Sequence, residues 1–268
     1  SVARGIQILT IVPTRELAIQ VSDVFRGLAR FSVSPVPVMT IIGGVSIEGQ
    51  MDTLHWPVSI VVATPGRLLD LLDRGVLDLA DVQTLVLDEA DKLLDGGFSD
   101  EVAPILDILP AERQNLLFSA TLPPRVLTLS EGVLKDPTVL SEETTRIPSE
   151  VIEQRVYQVD SERRRGLLQH LLAENDWAQV LVFVSSKRAT ENLARKLSTD
   201  GFAAVALHGG LVQKERGYAL KCFKTKAVRI LVATDIAARG IDIPMLDAVV
   251  NFDLPRSTDV YVHRVGRT

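Results

Sequence analysis

IVVATPGR, residues 60–67, is a β-branched apolar run that breaks into Thr64, Pro65, Gly66 and Arg67. A run this short and this continuous reads as a parallel strand buried on both faces, and Pro65 suits the first turn of a following helix. The same construction returns as ILVATD, residues 230–235. Two similar α/β sheets are therefore expected, a duplication within one chain.

Working outward, further apolar runs read as strands: 8–12, 38–42, 85–87 and 116–118 around the first copy, and 180–184, 204–207 and 248–252 around the second. Segments with helical spacing, such as 16–25 and 67–74, lie between them, the alternation that builds a parallel sheet with helices on its faces. EETTRIPSE, 142–150, has no periodicity and carries a proline, as a linker would. The expected organisation is a first domain over 1–141, the linker 142–150, and a second domain over 151–268. In open sheets of this class ligands gather beyond the carboxyl ends of the strands. PTRE, GG, TPGR, DEAD and SAT in the first half, and ATDIAARGID in the second, all follow apolar runs.

With 46% apolar and 24% charged residues the chain is an ordinary globular one. No apolar run approaches the roughly 18 residues of a membrane span, so no membrane partner is expected. The single cysteine, Cys222, has no internal partner for a disulfide, which favours a reducing compartment. The chain starts at Ser1 and SVARGI has no signal-peptide character, so a fragment or processed chain is expected. Charge is uneven: residues 1–148 hold 11 basic and 20 acidic side chains, residues 149–268 hold 18 and 14. The basic surplus of the second half suits a phosphate backbone and equally suits scattered solvated charge.

LVLDEAD, 85–91, places Asp88, Glu89 and Asp91 at the end of a buried run. An acid there can hold Mg²⁺ through its waters while a neighbouring glutamate orients the water that attacks a γ-phosphate. In isolation the competing reading is simpler: Asp88 or Asp91 caps a helix starting near Lys92.

PTRELA (13–18), GG (43–44), TPGR (64–67), DEAD (88–91), SAT (119–121), QKER (213–216), ATDIAARGID (233–242) and HRVGR (263–267) occur in this order. Together they resemble the DEAD-box ATP-dependent RNA helicase family of superfamily 2, over nearly the whole chain. The resemblance implies two RecA-like domains, each a mostly parallel sheet flanked by helices, the first incomplete at its N-terminus. It implies ATP and Mg²⁺ as cofactors, Asp88 as the metal-linked acid, Glu89 as the base and Arg267 as the cation at the γ-phosphate. Gly240 and Asp242 would lie by the nucleotide. RNA, as a single strand or short duplex, would be gripped by Thr14, Arg15, Gly44, Thr64, Pro65, Gly66 and Arg67 on the first domain, and by Arg216 and Thr234 on the second. Asp91, Ser119, Thr121 and His263 would couple hydrolysis to domain closure. A monomer in the cytoplasm or nucleus is implied. Phe183, inside VLVFV, is expected to be packed rather than to stack on bases.

The sequence departs from the family in lacking GxxxxGK[ST]; it contains no Gly-Lys pair at all. It ends at Thr268, before the family's last arginine. Gly210 replaces a frequent aspartate, and DGGF, 95–98, replaces a more apolar spacing. The expected reading is an RNA helicase that unwinds short duplexes or remodels RNA–protein complexes, of which these 268 residues alone are inactive. A hydrolysis-deficient RNA-binding remnant is the alternative, and a DNA-directed helicase a further one.

Overall fold

The structure is a computed structural model that describes residues 5–94, 99–141, 152–238 and 246–268. The expected linker 142–150 and the DGGF segment lie outside the described residues. The chain divides into two compact units, Ser1–Val139 and Leu140–Thr268.

In the first unit, strands β1 (Ile8–Ile11), β2 (Val38–Ile41), β3 (Ile60–Ala63), β4 (Thr84–Leu87) and β5 (Gln114–Leu117) form one parallel sheet in the order β2-β3-β1-β4-β5. Helices α1 (Arg15–Ala29), α2 (Ile47–Leu54), α3 (Pro65–Asp73), α4 (Ala90–Leu93), α5 (Ser99–Asp107) and α6 (Pro124–Val133) carry the connections. β3 is apolar and buried along its whole length because both of its faces are covered. Leu9, Ile11, Val61 and Leu85 point into one core layer, while Ile60 and Val62 point into the other with Val12, Ala18 and Ile42.

The second unit repeats the plan. Strands β6 (Val180–Phe183), β7 (Ala204–Leu207), β8 (Ile230–Ala233) and β9 (Ala248–Asn251) pair in parallel in the order β7-β8-β6-β9. Helices α7 (Arg164–Glu174), α8 (Lys187–Thr199), α9 (Gln213–Lys224), α10 (Asp235–Ala238) and α11 (Thr258–Val265) accompany them. β6, β7, β8 and β9 occupy the places of β1, β2, β3 and β4, so the two stretches that echo in sequence sit on equivalent strands, β3 and β8. Phe183 is 3% exposed, packed as its surroundings predict.

One strand behaves differently. β5 pairs with β4 alone among the described residues, and its side chains alternate between exposed and half-buried. Leu116 and the following Phe118 are exposed, as is Leu127 on α6. Parallel strands are normally covered on both faces, so β5 is a sheet edge with an apolar surface.

Candidate functional site

In the first unit the polar segments fall on one rim, at the carboxyl ends of the strands. PTRE follows β1, GG follows β2, TPGR follows β3, DEAD follows β4 and SAT follows β5. The order in which the sheet is wound, with β4 between β1 and β5, puts DEAD directly between PTRE and SAT.

DEAD is held to its neighbours by backbone first. The amide of Asp88 donates to the Ile11 carbonyl at 3.1 Å, that of Phe118 to Leu87 at 2.8 Å, and that of Ala90 to Phe118 at 3.0 Å. The chain turns sharply at Glu89, whose φ of 51° and ψ of 50° are left-handed. A left-handed glutamate costs about 1–2 kcal/mol, a strain that concentrates at functional sites. Neither Asp88 nor Asp91 caps the helix. α4 begins at Ala90 rather than near Lys92, with Glu89 as its N-cap and no side-chain cap bond. The Asp88 carboxylate instead accepts the Glu89 amide at 2.8 Å.

The three carboxylates stand in three different environments. Burial pushes the Asp88 carboxyl above its ordinary range; the Glu89 amide bond opposes this, and the charge of Glu89 adds to it. Glu89 Oε1 pairs with Lys92 Nζ at 2.7 Å, while its Oε2 is buried with no partner among the described residues. Asp91 is 5% exposed; its amide donates to the Ser119 hydroxyl oxygen at 3.2 Å, and its Oδ2 accepts the Thr121 hydroxyl at 3.0 Å. Ser119 Oγ in turn donates to the Thr121 carbonyl at 2.6 Å. Asp91, Ser119 and Thr121 therefore form one connected network.

The donor chemistry suits the metal and water end of a Mg²⁺-bound nucleotide. Among the described residues no group of three or more His, Cys, Asp or Glu side chains could hold a metal ion. Mg²⁺ needs none when it keeps its waters and takes one carboxylate together with phosphate oxygens, which is what Asp88 offers. The unpartnered Glu89 Oε2 has the acceptor capacity to orient a water. The motif GxxxxGK[ST] does not occur in these 268 residues.

The residues expected to grip RNA on the first unit do come to this rim, in unequal states. Thr14 is the N-cap of α1 and accepts the Leu17 amide at 3.2 Å. Thr64 and Pro65 are buried, with Pro65 the first residue of α3 and no cap bond from the Thr64 side chain. Gly66 is exposed, and a Cβ on it would stand 3.1 Å from a carboxylate oxygen of Glu101. Gly44 has φ +77°, and a Cβ there would collide with the Arg15 guanidinium. Arg67 directs both terminal nitrogens to the Val45 carbonyl, each at 3.1 Å. Arg15 and Arg67 therefore lie along the Gly43–Gly44 turn.

In the second unit Thr234 precedes α10, its carbonyl accepting the first-turn amides of Ala237 at 3.1 Å and Ala238 at 3.0 Å. Arg216 is 5% exposed and donates to the His208 carbonyl at 3.1 Å. His263 is exposed on α11, and Arg267 is half-buried just beyond it, its carbonyl accepting the Leu246 amide at 3.0 Å. Gly240 and Asp242 lie outside the described residues.

Sequence reasoning passed over Arg264, which is 3% exposed. Its guanidinium forks onto Asp235 (Nε–Oδ1 2.5 Å, Nη2–Oδ2 2.7 Å), donates from Nη1 to Asn251 Oδ1 and to the Asp253 carbonyl, each at 2.7 Å, and lies 4.7 Å from the centre of the Phe183 ring. It joins the carboxyl ends of β6, β8 and β9. An arginine inside HRVGR was visible, but its partners lie 29, 13 and 11 residues away.

Residues 1–129 match the DEAD/DEAH box helicase family, and residues 163–268 match the helicase conserved C-terminal domain. The ATP-dependent RNA helicase DbpA of Escherichia coli is 43% identical over 263 residues, covering 98% of this chain and 57% of that protein. The DEAD-box ATP-dependent RNA helicase CshA of Geobacillus kaustophilus is 41% identical, covering 98% and 56%. Among solved structures, S. cerevisiae Dbp5 bound to RNA and ADP BeF3 superposes with a TM-score of 0.85 at 29% identity, covering 99% of this chain and 68% of that one. The chain thus spans a little over half the length of these two curated relatives.

Proposed function

Because the chain belongs to the DEAD-box helicase family, we propose that the protein carrying it is an ATP-dependent RNA helicase that separates short duplexes or remodels RNA–protein complexes by domain closure. The observation that carries this reading is the rim of the first sheet. A strained Asp88–Glu89 turn stands beside a carboxylate, Asp91, tied to the two hydroxyl residues of SAT. A binding module has no chemical use for a half-buried Asp88 carboxylate set beside a second one, Glu89.

Mg²⁺-bound ATP, when present, supplies the phosphoanhydride bond and the charge that organises its phosphates. Asp88 would hold the metal's waters. Glu89 would orient the attacking water through Oε2, the oxygen that Lys92 leaves unused. Asp91, Ser119 and Thr121 would transmit the state of the DEAD turn along the rim. Thr14, Arg15, Gly44, Thr64, Pro65, Gly66, Arg67, Arg216 and Thr234 would serve RNA, several of them by shaping backbone rather than by direct charge. Arg267, His263, Gly240 and Asp242 are assigned to the nucleotide and coupling roles on the resemblance alone. The domain limits proposed are 1–141 and 151–268, joined by 142–150.

The test is RNA-stimulated ATP hydrolysis and strand separation by the full-length protein, against its Glu89→Gln variant. Turnover that requires RNA and is lost in the variant is expected; RNA binding without turnover in the unaltered protein would overturn the reading. The alternative is a hydrolysis-deficient RNA-binding remnant. The coding sequence upstream of Ser1 decides between them, since GxxxxGK[ST] encoded in frame there supports the helicase.

A further inference from the structure

The two units share a device in which a helix side chain braces the glycine turn that precedes it. After β2 the chain runs through Ile42 into Gly43–Gly44; after the equivalent strand β7 it runs through His208 into Gly209–Gly210. Each turn leads to a helix, and from the fourth residue of each helix a buried side chain reaches back eight positions to the residue before the glycines. In the second unit it is Arg216, donating to the His208 carbonyl at 3.1 Å. In the first it is Gln50, 8% exposed, which donates from Nε2 to the Ile42 carbonyl at 3.0 Å and accepts the Ile42 amide on Oε1 at 3.2 Å.

We propose that Gln50 is the positioning residue of the Gly43–Gly44 turn, the counterpart of Arg216, and that it sets how the turn meets an RNA phosphodiester. The inference rests on the RNA-binding reading above. Gln50 satisfies both backbone groups of Ile42, so the peptide plane entering the turn is fixed from two sides. Arg67 fixes the far end through the Val45 carbonyl, and Arg15 lies where a Gly44 side chain would be. The turn is thereby braced from α1, α2 and α3 at once, an arrangement that keeps its amide-bearing backbone in one shape before any ligand arrives. Backbone contacts of this kind read a phosphate and not a base. Gln50 differs from Arg216 in being neutral, so it shapes the turn without adding charge.

The experiment is titration of a fluorescein-labelled single-stranded oligouridylate into the full-length protein at two salt concentrations, for Gln50→Ala, Gln50→Glu, Gly44→Ala and the double variant Gln50→Ala/Gly44→Ala. Gln50→Ala is expected to weaken RNA binding roughly 5- to 20-fold while ATP affinity stays within about twofold. Gln50→Glu, which keeps the acceptor and places negative charge against the Ile42 carbonyl, should lose as much, and it carries the test if the alanine variant does not fold. In the Gly44→Ala background, where the turn is already distorted, Gln50→Ala should add less than about twofold. Wild-type RNA affinity in both Gln50 variants, or losses that multiply in the double variant, would overturn the proposal while leaving the RNA reading intact. An unaltered protein that binds no RNA at low salt would overturn both.

Discussion

The Thr121 hydroxyl donates to Asp91 Oδ2 at 3.0 Å, across 30 residues of sequence and from β5's loop to the first turn of α4. The other oxygen, Oδ1, is buried without a partner among the described residues. Asp91 thus depends on one side-chain hydroxyl for its carboxylate. Thr121→Val keeps the shape and removes that donor, and should cost the first unit on the order of 1–3 kcal/mol. Thermal unfolding measures the loss. In the full-length protein, strand separation should fall further than RNA-stimulated hydrolysis does.

Glu89→Gln keeps the size of the side chain and can still accept from Lys92 through its amide oxygen. Hydrolysis should drop by at least about 100-fold, the usual worth of a positioned base, with ATP and RNA affinities within a few-fold of wild type. Loss of hydrolysis and both affinities together, by steady-state kinetics and equilibrium binding, would count against the base role.

Asp88 carries a pH signature. Its carboxyl is raised by burial and by the charge of Glu89, so the native state holds this proton more tightly than the unfolded chain does. Ionisation therefore costs stability, in full above the native pKa, and the cost vanishes as pH falls below the unfolded value. Asp88→Asn should unfold about 1–3 °C higher than wild type near pH 7.5. By about pH 3, below the ordinary aspartate value, the two midpoints should converge. A variant less stable at pH 7.5, measured by calorimetry, would contradict the cause assigned to the shift.

Arg264→Ala strips four hydrogen bonds and the Phe183 contact from the second unit and leaves the Asp235 carboxylate without its fork. A destabilisation on the order of 3 kcal/mol is expected, read by urea unfolding of that unit's transition. Arg264→Lys should recover only part of it, because a single ammonium cannot fork onto Asp235 while reaching Asn251 and the Asp253 carbonyl.

The strands and the rim were legible because a strand buried on both faces must be apolar and its polar continuation must emerge at one end. IVVATPGR and its echo at 230–235 therefore located two sheets, and PTRE, DEAD and SAT located one rim. Side-chain direction was not legible. Arg67 and Arg216 are basic residues that phosphate would attract, yet both turn to carbonyls, Val45 and His208, that only the folded turns bring near. Gln50 looked like any polar residue of a surface helix. Arg264 was unreadable for a related reason: its partners become neighbours only when β6, β8 and β9 take their sheet order. The helix-cap reading of the acids misjudged the turn, since placing Glu89 at positive φ directs the Asp88 carboxylate to the Glu89 amide and not into the helix.

The edge at β5 has a practical meaning for anyone who makes these 268 residues. Its outer row of backbone groups is a template, flanked by Leu116 and Phe118, onto which a strand from another molecule can add. Purified alone, the chain should associate with itself as concentration rises, and a single charged replacement such as Leu116→Lys should restore a monodisperse solution by light scattering. Solubility, more than chemistry, would then set the first condition for studying it.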